Sequence, residues 1–205
     1  MNLTDNIFED TNVIVTKLVV GPFKNNVYFI RCKASGKSVL IDAADEHEKL
    51  TQLCRELNVT MVLETHGHFD HIQAVPQIRE LGVPVYITND DSHYLPSYDL
   101  LIDDDVDLKC GELLLHTIHT PGHTKGSVCF ALKGTPLLFS GDTLFPGGPG
   151  ATHFEDGDFP TIIDSIENRI FNAYSPTTTI LPGHGSATTL SLELPHLSEW
   201  VERGW

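Results

Sequence analysis

The stretch Thr65-His66-Gly67-His68-Phe69-Asp70-His71 decides how this chain is read. It places three imidazoles and a carboxylate within six residues, in the pattern HxHxDH. Residues 60–64 before it form a short apolar strand. Residues 71–81 after it are expected to form a helix, which Pro76 either kinks or starts. Where the chain leaves the strand still extended, side chains two apart share a face, so His66 and His68 project together. Asp70 and His71, at the helix start, approach the same point from another direction. Imidazole and carboxylate donors suit zinc, iron or manganese. Even in a chain with 11 histidines, the pattern arises by chance in roughly one such sequence in 400, so a purely structural explanation is a poor one.

Working outward, three more positions have matching surroundings. His123 lies in Thr120-Pro121-Gly122-His123-Thr124-Lys125-Gly126-Ser127, a turn between two expected strands. Asp142 follows an expected strand at 136–140, in Ser140-Gly141-Asp142-Thr143, and His184 follows another at 178–181, in Leu181-Pro182-Gly183-His184-Gly185. Each stands at a strand end close to a glycine that lets the backbone turn tightly. Strand-end loops of layered α/β proteins are where sites assemble. Taken singly each is a routine turn residue; beside HxHxDH each becomes a candidate.

The rest of the chain alternates strands and helices. Branched and aromatic residues mark strands at 13–20, 27–31 and 38–42, with a Gly-Pro turn signal at 21–26 between the first two. Leu50, Leu53, Cys54 and Leu57 recur at helical spacing over 46–57, and another strand covers 83–87. The second half repeats the style, with strands at 112–119 and 127–132. A helix over 161–171 carries Ile162, Ile163, Ile166 and Ile170 on one face. A closing helix at 197–203 is expected to pack onto the body through Trp200, Leu197 and Val201, with Trp205 beside it. Each half thus supplies a sheet with covering helices, a layered α/β plan, read as one domain over 1–205. Residues 146–157, rich in Gly and Pro, read as a long functional loop. Asp103, Asp104, Asp105 and Asp107 read as a solvated acidic turn and Lys125 as a solvated turn lysine. His47, His93, His116, His119 and His196 are not expected to be ligands.

Composition narrows the partners. The chain has 205 residues, 40% hydrophobic, with 28 acidic and 13 basic side chains and a formal net charge of −15. Such a surface repels polyanions, so nucleic acid and anionic membranes are poor partners. No run approaches the ~18 apolar residues of a membrane span, and the polar start lacks the pattern of a secretory signal. Cys32, Cys54, Cys110 and Cys129 are scattered and fit reduced thiols in the cytoplasm.

In their order, HxHxDH, TPGHT, GDT and PGHG resemble the metallo-β-lactamase superfamily of hydrolases, most closely its glyoxalase II-like branch, over residues 13–185. The resemblance implies an α/β fold, a four-layer αβ/βα sandwich, with two divalent metal ions at one edge. It implies that His66, His68 and His123 hold one ion, that Asp70, His71 and His184 hold the other, and that Asp142 bridges them. Asp42, ending its strand in LIDA, matches an acidic position that supports the ligands from behind. An aspartate at 142, where β-lactamases of this fold do not usually carry one, points away from antibiotic hydrolysis.

Two dications sharing a water lower its pKa, so a metal-bridging hydroxide exists at neutral pH to attack a small acyl substrate such as a thioester. Asp70 is the expected proton acceptor, and no GxSxG nucleophile elbow is present. Zinc is the first choice, with iron or manganese as alternatives. Relatives carry a GRTDF-like stretch after the bridging aspartate; here it reads Gly150-Ala151-Thr152-His153-Phe154, and alanine replaces the arginine that would clamp an anion. His153 and Phe154 are the expected pocket residues. The rivals are a persulfide dioxygenase with a single iron on His66, His123 and Asp142, a lactonase, a phosphodiesterase, and a non-catalytic metal-binding module.

Overall fold

The strand periodicities assemble into two sheets. The computed structural model describes residues 5–204; Trp205 and residues 1–4 lie outside them. Strands β1 (Asp5–Glu9), β2 (Val13–Val20), β3 (Asn25–Cys32), β4 (Ser38–Ile41), β5 (Val59–Leu63), β6 (Val85–Thr88) and β7 (Leu100–Ile102) form the first sheet in that order. Its pairs are antiparallel from β1 to β4 and parallel from β4 to β7. The second sheet contains β8 (Asp107–Cys110), β9 (Leu113–His119), β10 (Val128–Leu132), β11 (Leu137–Gly141), β14 (Thr179–Pro182) and β15 (Thr188–Thr189) in spatial order 15-14-11-10-9-8. A two-strand ribbon, β12 (Leu144–Phe145) with β13 (Gly148–Pro149), leads off from β11.

Strand parity makes four layers of this. In β3, Tyr28 and Ile30 face the second sheet, meeting Leu115, Phe130 and Phe139 in a core between the sheets. Their neighbours Val27 and Phe29 face the other way, against Leu50 and Cys54 of α1 (His47–Glu56) and Ile78 of α3 (Val75–Arg79). In β10, Phe130 points inward while Cys129 packs against Ile162, Ile166 and Ile170. Alternation along a strand buried on both faces therefore serves two cores at once. The fold is the four-layer αβ/βα sandwich.

Several elements differ from expectation for local reasons. The helix expected at 71–81 is two short helices, α2 (Phe69–Ile72) and α3, with Pro76 in the first turn of the latter. The helix expected at 161–171 begins as α4 (Phe159–Asp164), capped where the Asp158 side chain accepts from Thr161 N at 2.8 Å. It then widens into a π-helical turn at Ser165–Phe171, which keeps Ile162, Ile166 and Ile170 fully buried. Strand β3 starts at Asn25, two residues early, and pairs Asn25 with Val20 across a turn at 21–24.

The acidic turn is exposed to solvent as expected, and two of its carboxylates are also paired. Asp104 accepts two hydrogen bonds from the Arg169 guanidinium at 2.9 and 2.7 Å, and Asp107 pairs with Lys133 at 2.6 Å and His116 at 2.9 Å. Lys125 is likewise engaged, 2.6 Å from Asp156. Trp200 of the closing helix (Leu197–Arg203) is buried against Phe171, whereas Val201 on the same helix faces solvent, so the docking face is narrower than expected. All four cysteines are buried and unpaired. No helix of the described residues is long and apolar enough to cross a membrane.

Candidate metal centre

The site forms where strands of both sheets end. Asp42 follows β4, residues 65–71 follow β5, Asp142 follows β11, His184 follows β14, and His123 sits in the turn from β9 to β10. Val128 N donates to the Thr65 carbonyl at 2.9 Å, which stitches the two sheets together beside these loops. Carboxyl ends of strands in layered sheets are where the chain is free to turn inward.

Seven side chains converge there. His66, His68 and His123 can offer ring nitrogens within 4.8 Å of one another; so can Asp70, His71 and His184 with their own donor atoms. Asp142 lies between the two sets, its Oδ1 3.5 Å from His71 Nε2 and its Oδ2 3.6 Å from both His123 Nε2 and His184 Nε2. Gly183 must be glycine for this, since a Cβ there would overlap Asp142 Oδ1 and stand 2.7 Å from His71 Cε1.

The outer nitrogens of four of the five imidazoles are tied down. His71 Nδ1 donates to Asp42 at 2.8 Å, His123 Nδ1 to the Ala151 carbonyl at 2.7 Å, and His184 Nδ1 to the Phe23 carbonyl at 3.0 Å. Thr65 gives its hydroxyl proton to Asp42 at 2.9 Å, so it accepts from His66 Nδ1 at 3.1 Å. The rings of His66, His71, His123 and His184 are thereby fixed with Nε2 toward the centre, the arrangement that orients metal ligands. Among the described residues, His66 Nε2, His123 Nε2 and Asp142 Oδ1 are buried without a hydrogen-bond partner. Buried polar atoms rarely remain so, and a cation is the species this donor set would satisfy.

Electrostatics separates the roles. Burial, reinforced by neighbouring imidazoles, holds His66 well below the ordinary histidine value, and burial brings His68 down to about 4. Both are therefore neutral donors at pH 7. Burial opposes charge on Asp70, but His184, His71 and Asn25 outweigh it and keep it an ionised carboxylate. Burial likewise opposes charge on Asp142, and His71 more than compensates. Behind them, Glu64 is fully buried beside Asp42, and burial together with that neighbouring charge pushes its carboxyl well up.

Three supports escaped the sequence reading. Asn25 donates to Asp70 Oδ2 at 3.0 Å, while Asn26 holds the loop bearing His184, donating to the carbonyls of Pro182 at 2.9 Å and Gly185 at 3.0 Å. Asp91, fully buried, accepts from Gly67 N at 2.8 Å, Thr124 Oγ1 at 2.7 Å and Gly126 N at 2.8 Å, joining the loop of His66 and His68 to that of His123. The only signal for them is an Asn or Asp next to a strand, which ordinary turns share. Of the two expected pocket residues, Phe154 stands 5.0 Å from the His68 ring and lines the cavity beside the cluster. His153 is exposed, stacked on Phe154 at 4.2 Å, and lies off the cavity wall.

Two helix-covered sheets with imidazoles and carboxylates gathered at one shared edge define a class of αβ/βα sandwiches built around a cation-binding site. The family model of the Metallo-beta-lactamase superfamily matches residues 20–184, and the chain belongs to that superfamily. It is 32% identical over 198 residues to the probable metallo-hydrolase YqgX of Bacillus subtilis, covering 86% of this chain and 92% of the relative. It is 33% identical over 178 residues to the hydroxyacylglutathione hydrolase GloC of Haemophilus influenzae, covering 76% and 84%. Among solved structures, the BLEG-1 B3 metallo-beta-lactamase superposes with a TM-score of 0.82 at 29% identity, over 89% of this chain and 97% of that one. ETHE1 from Myxococcus xanthus gives 0.80 at 28% identity, over 90% and 83%.

Proposed function

We propose that the cluster holds two divalent cations and that the protein hydrolyses a small acyl substrate, a thioester before an ester, lactone or β-lactam. The observation that carries this reading is the set of orphaned buried atoms, His66 Nε2, His123 Nε2 and Asp142 Oδ1, beside a second donor set made by Asp70, His71 and His184. His66, His68 and His123 would hold one ion; Asp70, His71 and His184 would hold the other, with Asp142 shared. Zinc suits five imidazoles with two carboxylates, and iron or manganese accept the same donors. When bound, such ions supply an ionised water at neutral pH and a Lewis acid for the scissile carbonyl.

The chain's own residues do the rest. Asp70, kept ionised and steadied by Asn25, is placed to take the proton as the tetrahedral species breaks down. Asp42 fixes the His71 ring through Nδ1, and the Ala151 carbonyl does the same for His123. Residues 145–151 and Phe154 wall the cavity beside the cluster and shape the space for the acyl group. The similarity to a hydroxyacylglutathione hydrolase supports a thioester substrate, and the net charge of −15 makes nucleic acid and membrane poor partners. Four unpaired buried cysteines fit a cytoplasmic setting.

A second reading has one observation in its favour. The three orphaned atoms belong to His66, His123 and Asp142, the residues that would hold a single iron in a persulfide dioxygenase. Elemental analysis of the purified protein, with a panel of thioesters, lactones, β-lactams and phosphodiesters, separates the two. Two metals per chain with thioester turnover is the expected result, and both are lost together in His66→Ala and Asp142→Ala. One iron per chain with oxygen uptake on a persulfide would replace the hydrolase reading. Bound metal with no turnover of any substrate would leave a binding module.

A further inference from the structure

We infer that the cavity beside the cluster receives an uncharged, apolar part of the substrate, so that the preferred thioester is a neutral one with a hydrophobic acyl or thiol group. The inference rests on the hydrolase reading and adds the substrate class to it.

The cavity has a volume of about 720 Å³, the size that holds a small organic ligand, and opens directly onto His68, Asp142 and His184. Its walls carry four phenylalanines, Phe23, Phe69, Phe145 and Phe154, together with Ala151 and Pro149. Three of these rings are held out toward solvent: Phe23 is 53% exposed, Phe69 61% and Phe154 46%. Single exposed rings need no explanation, but these come from three separate segments and surround one opening. Phe23, in the turn before β3, and Phe69, the first residue of α2, meet edge to face at 5.4 Å. Phe154 faces them from the loop after β13, against the His68 ring.

Charge points the same way. Among the described residues, no Lys or Arg lines the cavity. Lys125, the cation of the neighbouring turn, is 2.6 Å from Asp156, and Asp156 also accepts from the Tyr94 hydroxyl at 2.5 Å. The wall loop continues into Glu155, Asp156 and Asp158, in a chain whose net charge is −15. A thiol carrier bearing carboxylates would find here aromatic walls that themselves carry no guanidinium or ammonium, beside an acidic loop. An alkyl or aryl group would cover the exposed rings and lose its own hydration.

Equilibrium binding to the metal-loaded protein tests this without relying on turnover. The probes are non-hydrolysable thioethers, S-butyl- and S-octyl-N-acetylcysteamine, which are neutral, and S-butyl- and S-octylglutathione, which are anionic. Calorimetry is expected to show the neutral octyl compound binding at least tenfold tighter than its glutathione counterpart. Affinity should rise by up to about fourfold per methylene buried. Phe69→Ala and Phe154→Ala should each lower octyl affinity several-fold at unchanged metal content and melting temperature. Ala151→Arg should narrow the gap between neutral and anionic probes. Tighter binding of the glutathione thioethers, or affinities indifferent to chain length and to both phenylalanines, would overturn the inference. Thioester hydrolysis that favours the anionic carrier would also overturn it while leaving the hydrolase reading intact. Tight neutral binding with no hydrolysis of any thioester would do the reverse.

Discussion

Asp91 supports the cluster at one remove. Its carboxylate receives two backbone N–H groups and one hydroxyl from two separate loops, and no water reaches it. Removing it orphans the buried Gly67 and Gly126 amides, each costing about 1–3 kcal/mol, while the Thr124 hydroxyl keeps Ser127 Oγ at 2.7 Å. Asp91→Ala is therefore expected to lower the unfolding free energy by about 2 kcal/mol or more and the metal content with it, read by urea denaturation and elemental analysis. Asp91→Asn, which keeps one acceptor, should lie between the two. A destabilised Asp91→Ala protein with full metal content would show that the loops find their places without this link. The ligand candidates themselves were legible in the sequence because histidine is rare and its spacing strict. Asp91, Asn25 and Asn26 were not, because their residue types are common wherever a chain turns, and only burial distinguishes them.

Elements were readable to the extent that they are buried on at least one face. The edge strands β1, β7 and β8 are largely exposed, so they carry no apolar alternation to detect. The segment over 161–171 was read as one helix because its isoleucines keep a common face, and hydrophobic spacing reports neither the earlier start at Phe159 nor the widening into a π-helical turn. Arg169 in that turn reaches back to Asp104 before β8, tying the wider turn to the acidic loop. Burial opposes charge on Asp104, but Arg169 outweighs it and holds the carboxyl below its ordinary value. A carboxylate so depressed contributes stability that is present above its unfolded-state pKa and lost as pH falls through the folded one. Both partners are about two-fifths exposed, so Arg169→Ala should cost only about 0.5 kcal/mol at pH 7. That difference should close as pH falls below the ordinary aspartate range and through the depressed one, read in parallel urea titrations. A gap independent of pH would assign the loss to the packing of the arginine stem instead.

At the scale of the whole molecule, a layered α/β plan was legible from two successive runs of strands, each followed by helical spacing, and the four-layer sandwich came from the family resemblance of motifs that fall at strand ends. What sequence alone did not reveal is how the site divides between the layers. His66, His68, Asp70 and His71 come from the first sheet; His123, Asp142 and His184 come from the second. A cation shared by both sets would bind the folded chain and not the separated halves, and so would stabilise it by mass action. The gain is about 2.7 kcal/mol at a free concentration 100-fold above Kd, or about 5–10 °C in a protein of this size. Scanning calorimetry with excess zinc and with a strong chelator should show that separation, and coincident transitions would mean that no ion spans the layers.

The turn at 21–24 carries more than its length suggests. Phe23 offers its carbonyl to His184 and its ring to the cavity wall, and the next two residues, Asn25 and Asn26, serve Asp70 and the His184 loop in turn. Neighbouring side chains on a strand point to opposite faces, so gaining or losing one residue here would exchange the duties of the two asparagines. Insertions, which surface loops elsewhere in the molecule would absorb, should be selected against at this hairpin, and its residue count becomes part of the chemistry.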